Sequence, residues 1–137
     1  KKLLLKKGAP ETFDVMSLIN FLYRLYKEEE VAIPIFDRSL ELSRSSAAII
    51  SKNTKVIIVE GNYILLNNYP WKELHKFFNS TVIINCEEKV LEQRLIERWE
   101  KFNLPKEEIK EKVYKNDLPN GVNVLKNSIK ADYILEN

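Results

Sequence analysis

Several common chemistries are missing from this sequence. One cysteine, Cys86, stands among 137 residues, so the chain has no internal disulfide framework, and a lone thiol fits a reducing compartment. His75 is the single histidine. A Ser-His-Asp triad has little to draw on, and a histidine-rich metal site cannot be assembled. Charge of one sign is also lacking: 22 Lys and Arg face 20 Asp and Glu, a formal net charge of +2. That balance, with no basic-aromatic stripe, argues against a nucleic-acid-binding module. No apolar run approaches the roughly 20 residues needed to cross a bilayer, and no secretory signal precedes the first motif. The expectation is a cytoplasmic protein without membrane attachment. The opening KKLLLKKG turns polar too early for an anchor and reads as a strand or loop entering a domain already under way.

What is present alternates between two periods. Phe13, Met16, Ile19, Phe21, Leu22, Leu25 and Tyr26 recur at helical spacing, with Pro10 and Thr12 as start signals. A short strand is predicted around 31–36, with Pro34 marking an edge or an irregular end. Residues 37–53 read as a polar loop with a helical turn near 46–50. Val56, Ile57, Ile58 and Val59 form a β-branched run of the kind expected in a central parallel strand covered on both faces. Residues 68–78 read as a turn and a helix, and STVIINC (80–86) repeats the buried-strand pattern. Residues 87–102 form a helix, and a further one starts near Pro105. A turn-rich NDLPNGVN follows, and ADYILEN closes as a strand. Alternating strands and helices predict one α/β layered domain with a mainly parallel sheet.

Within that frame, Glu60 ends the central apolar run, where open α/β sheets bind ligands. A carboxylate there either faces a cation or a basic partner, or serves as a cap or ion pair at the rim. Gly61 permits a sharp turn and close backbone approach. Arg94 and Arg98 lie four apart on one helix, so both guanidinium groups can point to one side. They suit the charge of a transferred phosphoryl group, or an ordinary ion-paired face with Glu92, Glu97 and Glu100. Asp37 and Arg38 could orient a substrate or pair with each other, and Arg44 could reach an anion nearby. Asp14 reads as a helix cap and Cys86 as a buried thiol. Tyr63, Trp71 and Trp99 are either core residues or stacking partners for a base.

Five stretches in fixed order, KGAPETFD (7–14), PIFDRSLE (34–41), VIIVEGNYILL (56–66), RLIERW (94–99) and NDLPN (116–120), resemble the phosphoribulokinase/uridine kinase family of P-loop kinases. Within it, the branch of sugar- or nucleoside-kinase-like proteins related to bacterial pantothenate kinase is the most similar. The resemblance implies a P-loop NTPase-like three-layer fold and transfer of the γ-phosphoryl group of ATP to a hydroxyl of a small metabolite. It places Glu60 near Mg²⁺ or its water shell, and Phe36, Asp37 and Arg38 in the acceptor pocket with Arg44 nearby. It assigns Arg94 and Arg98 to a lid at about 94–110, and Asn116, Asp117 and Asn120 to a turn near the nucleotide base. The chain contains no GxxxxGK[ST], the loop that holds the ATP phosphates. The first strand and the upstream aspartate base of the family are missing with it. The expectation is therefore a partial kinase domain, inactive unless an N-terminal P-loop segment is supplied, and marginally stable or oligomeric because the sheet lacks a central strand. The alternative is a noncatalytic remnant that binds a partner or metabolite.

Overall fold

The computed structural model describes residues 8–137, so the expectation for the opening KKLLLKK lies outside the described residues. The chain divides into two compact units. One is Asp14–Glu60, and the other is Gly61–Asn137 together with the segment ending at Phe13.

In the smaller unit, helix α1 (Val15–Leu25) starts where Asp14 accepts hydrogen bonds from the Ser17 backbone N–H at 3.0 Å and the Ser17 hydroxyl at 2.6 Å. The side chain thus satisfies one of the N–H groups that a first turn leaves unpaired. Pro10–Thr12 is a separate 3₁₀ turn, so the helix begins later than Pro10 and Thr12 suggest. Of the apolar face, Val15 and Leu22 are buried, whereas Met16, Tyr23 and Tyr26 are exposed. Arg24 closes the last turn with a two-pronged pair to Glu28, both contacts at 2.8 Å.

Strand β1 (Glu30–Asp37) pairs antiparallel with β2 (Leu42–Ser51). The register shifts between Ile33 and Ile35, on either side of Pro34, whose missing N–H cannot contribute to the ladder. Strand β2 corrects the expectation of a loop with a helical turn at 37–53. Its serines and Arg44 conceal a strand because most of it is solvent-facing, which removes the alternating apolar signal.

Residues 54–60 overturn the expectation of a central, doubly covered strand. No strand is assigned there, and Val56 and Ile58 are 75% and 87% exposed. A β-branched run favours extended backbone, but it becomes a strand only when neighbours supply ladder partners. Among the described residues none pairs with it.

The larger unit is built around Leu66 and Leu74, with Tyr63, Leu65, Trp71, Ile109, Val113 and Ala131 also buried. Trp71–Phe77 is a 3₁₀ segment rather than an α-helix. Phe13 packs edge to face on Tyr63 and Trp71, which are tilted against each other, with centroids 5.6–6.1 Å apart, and the Tyr63 hydroxyl donates to the Gly8 carbonyl at 2.7 Å. Strand β3 (Val82–Asn85) runs parallel to β4 (Tyr133–Glu136). Thr81 and Asp132 lock this pair, since the Asp132 carboxylate accepts from both the N–H and the hydroxyl of Thr81 at 2.8 Å. The sheets are therefore mixed, one antiparallel and one parallel, in place of the mainly parallel sheet expected. Strand β3 is not the buried strand its composition suggests, because Val82 and Ile84 are more than half exposed.

Between β3 and β4 run α2 (Glu88–Lys101), α3 (Lys106–Lys112), a π-helical turn (Val113–Asp117) and α4 (Leu118–Asn127). The NDLPNGVN stretch is thus helical, not a turn. Pro119 falls in the first turn of α4, directly after the π-turn. At Gly121 an added Cβ would lie 2.5 Å from Leu91 Cδ2 on α2, so Leu91 would have to give way.

Candidate functional site

The candidate residues fall into two groups, one in each unit. In the smaller unit, Asp37 ends β1 and caps the hairpin turn. Its Oδ1 accepts from the Ser39 hydroxyl at 2.6 Å, the Ser39 N–H at 3.0 Å and the Leu40 N–H at 3.3 Å. The Ser39 hydroxyl and then the Leu40 amide hold its carboxyl below the usual carboxylate range, against a small opposing cost of desolvation. Arg44 Nε stands 3.8 Å from Asp37 Oδ2. The ion partner of Asp37 is therefore Arg44 on the facing strand, not its neighbour Arg38, which is exposed in the turn. Phe36 is exposed beside them. The hairpin end thus carries the Asp37–Arg44 pair on one face of β1, whereas Phe36, the preceding residue, belongs to the other face by strand alternation. An ionised carboxylate here can accept a hydrogen bond from a hydroxyl and so orient it.

Glu60 is exposed at the end of the unpaired 54–60 segment. Gly61 does not occupy the left-handed region, so a sharp turn is not its reason. An added Cβ would meet Ile64 Cγ2 at 3.1 Å, tighter than an ordinary contact. Among the described residues no group of three or more His, Cys, Asp or Glu could hold a metal. Mg²⁺ commonly takes one or two carboxylates and completes its shell with water and substrate phosphates. A single exposed Glu60 fits that manner of binding, and no all-protein cage is required.

In the larger unit, α2 carries Arg94 and Arg98, both exposed. Arg94 Nη2 reaches Asn137 Oδ1 at 3.5 Å, and the Arg98 guanidinium lies 5.6 Å from the centre of the Trp99 ring. Asn116, Asp117 and Asn120 join end to end. Asn120 donates to Asn116 Oδ1 at 3.3 Å, Asn116 donates to Asp117 Oδ1 at 2.8 Å, and Asp117 Oδ2 accepts the Trp99 indole N–H at 2.7 Å. These three residues thus bind to one another and to α2. Lys112, whose Nζ is 4.6 Å from the same ring, was not visible as a candidate from sequence. Neither was the bond from the Tyr114 hydroxyl to Glu92 at 2.6 Å, which ties the π-turn to α2. Tyr114 lies in the wide turn at Val113–Asp117, which shifts side-chain direction off the α-helical period.

Of the aromatic candidates, Tyr63 and Trp71 are core residues, each 5% exposed, whereas Trp99 is half-buried. Cys86 is half-buried as well. No helix among the described residues is long and apolar enough to cross a membrane.

No family model matches the chain. Individual proteins do. The uncharacterized protein YggC of Escherichia coli is 35% identical over 130 residues, which cover 95% of this chain and 54% of that protein. A protein of Schizosaccharomyces pombe named "putative uridine kinase" is 30% identical over 135 residues, covering 95% and 57%. The crystal structure of a "putative fructose transport system kinase" from Silicibacter superposes with a TM-score of 0.85 at 31% identity, over 97% of this chain and 65% of that one. The chain thus spans about half the length of the curated relatives it matches. The α/β architecture is that of the P-loop NTPase-like fold, with a mixed sheet.

Proposed function

Because the chain belongs to the P-loop kinase family related to uridine kinase, pantothenate kinase and phosphoribulokinase, we propose that it forms part of an ATP-dependent phosphotransferase. The γ-phosphoryl group of ATP passes to a hydroxyl of a small metabolite: a nucleoside, a sugar or a pantothenate-like alcohol. The observation that carries this reading is α2, which offers Arg94 and Arg98 to solvent four residues apart, next to a ring seated by Asp117. Phosphoryl transfer needs fixed positive charge where negative charge spreads over the migrating group, and paired guanidinium groups supply it.

In this reading Arg98, aided by Arg94, meets the transferred phosphoryl group. Phe36, Asp37, Arg38 and Arg44 receive the acceptor at the hairpin end. Glu60 holds Mg²⁺ or its water shell, and Mg²⁺ when bound offsets the charge of the β- and γ-phosphates. Asn116 and Asn120 lie toward the nucleotide side with Asp117. The 137 residues contain no GxxxxGK[ST], and in this reading a P-loop segment outside them supplies the phosphate cradle. That segment, or a second copy of the chain, would cover the apolar side chains exposed at 56–58. The same exposed residues favour the second reading, a noncatalytic protein that binds a partner through them. The assignment to the cytoplasm belongs to the same proposal.

Calorimetric titration with Mg-ATP separates the two readings. Binding that appears only after a P-loop segment is added supports the kinase. Absence of binding with a segment shown to be folded and associated refutes it in favour of the noncatalytic reading.

A further inference from the structure

A carboxylate accepts the indole N–H of α2 here, and the indole adjoins a proposed phosphate-binding arginine. Trp99 sits in the last turn of α2, and Asp117 ends the π-turn eighteen residues later. Three features hold them in register. Val113, fully buried, anchors the start of the π-turn, and Tyr114 bonds Glu92. At Gly121, α4 approaches α2 so closely that a methyl group would not fit without displacing Leu91.

The Asp117 carboxylate then has both oxygens engaged. Oδ2 takes the indole N–H at 2.7 Å, and Oδ1 takes Asn116, itself held by Asn120. A ring hydrogen-bonded in this way cannot rotate freely about its side-chain torsions. Negative charge at the indole N–H also enriches the ring, which makes its face a better seat for a cation. Two cations approach that ring, Arg98 at 5.6 Å and Lys112 at 4.6 Å, both inside the range over which such contacts attract.

We propose that Asp117 is a positioning residue that acts through Trp99 on Arg98: the carboxylate fixes the indole, and the indole seats the guanidinium. Asn116 and Asn120 support it by filling the second oxygen. This rests on the reading of Arg98 as a phosphate-binding residue for its purpose, but not for its geometry. Without the carboxylate, the indole N–H loses its acceptor and the ring becomes free to turn. Arg98 then samples its rotamers in solvent, as a long side chain does when nothing restrains it.

The test is NMR of the Arg98 side chain in the 137-residue protein. A guanidinium stem seated over an indole has δ and ε protons displaced from those of unstacked arginines by the ring current. Asp117→Ala should remove at least half of that displacement while far-UV circular dichroism stays unchanged. Asp117→Asn, which keeps the size and an oxygen for the indole, should retain most of it. In a Trp99→Phe background, which has a ring but no N–H, Asp117→Ala should move Arg98 no further. Arg98 signals that stay the same in Asp117→Ala overturn the proposal, as does an equal displacement by Asp117→Ala in the Trp99→Phe background. Should Asp117→Ala fail to fold, Asp117→Leu, which keeps the bulk but offers the indole no acceptor, takes its place in both backgrounds: an Arg98 displacement that it leaves intact, or that it lowers equally with and without the indole, overturns the proposal. Titration with Mg-ATP and the P-loop segment tests the phosphate reading apart from this. An Arg98 seated by Asp117 but indifferent to Mg-ATP ends the phosphate role and leaves the positioning intact.

Discussion

Gly121→Ala tests how α2 is seated on α4, and hence what fixes the helix that carries both arginines. The added Cβ would stand 2.5 Å from Leu91 Cδ2 and 3.7 Å from Leu91 Cγ, against about 3.5–4.0 Å for an ordinary carbon contact. Leu91 must turn out of its rotamer or α4 must move away, and overpacking of this kind costs about 1–3 kcal/mol. Alanine is the better helix former, and inside a helix it recovers about 0.8–1 kcal/mol relative to glycine. The net expectation is a loss of about 1 kcal/mol in the wild-type background. If Leu91 is first shortened by Leu91→Ala, the Cδ2 atom is gone and only the helix-propensity gain remains. Gly121→Ala should then stabilise the protein by about 1 kcal/mol. Urea unfolding of the four proteins in this cycle reads the sign directly. The same sign in both backgrounds would refute the claim that close approach of α2 and α4 is the reason for glycine at 121.

Four further outcomes are expected. The His75 Nε2 is buried without a hydrogen-bond partner, and burial lowers the His75 pKa below its ordinary 6.5, only partly opposed by the Leu66 backbone and by Glu73. The unfolded chain therefore takes up the proton first, so stability is greatest above about pH 6.5 and declines as pH falls toward the folded-state pKa. Urea midpoints across pH 7.5 to 5 should show that decline, and His75→Gln should flatten it; an equal slope in both proteins would exclude His75 as its source. Asp14→Ala removes the two bonds from Ser17 and should fray the first turn of α1, seen as lower helicity by circular dichroism and earlier hydrogen exchange at Ser17, with no change if the cap were idle. In the protein completed with its P-loop segment, Arg98→Ala should lower turnover by ten-fold or more while the urea midpoint stays put, consistent with an exposed side chain. Unchanged turnover would remove Arg98 from the mechanism. Glu60→Gln should shift the Mg²⁺ titration of activity to higher concentration, and an unmoved titration would leave Glu60 no part in holding the metal.

Much of this protein is legible along the chain. The helical spacing of Leu91, Leu95 and Trp99 places α2, and the run before Asn85 places β3. Asp14 read as a cap is a cap, because capping involves residues three apart and needs no tertiary partner. Five short motifs in order suffice for the family, since each reports local chemistry on a fold whose order of elements is set by the chain. What needed three dimensions is whatever depends on partners distant in sequence. The 54–60 run has the composition of a central strand, yet a strand exists only with a ladder beside it, and no described residue provides one. Strand β2 shows the reverse: its polar side chains hide a strand that β1 creates by pairing with it. Asp37 is matched with Arg44 by hairpin register, and Asp117 with Trp99 by a π-turn that no periodicity announces. Sequence alone determined which side chains carry charge and which segments favour helix, because those are properties of one residue and its near neighbours. Tertiary structure decided which charges meet and which apolar runs are covered, because burial and pairing are properties of the space between segments.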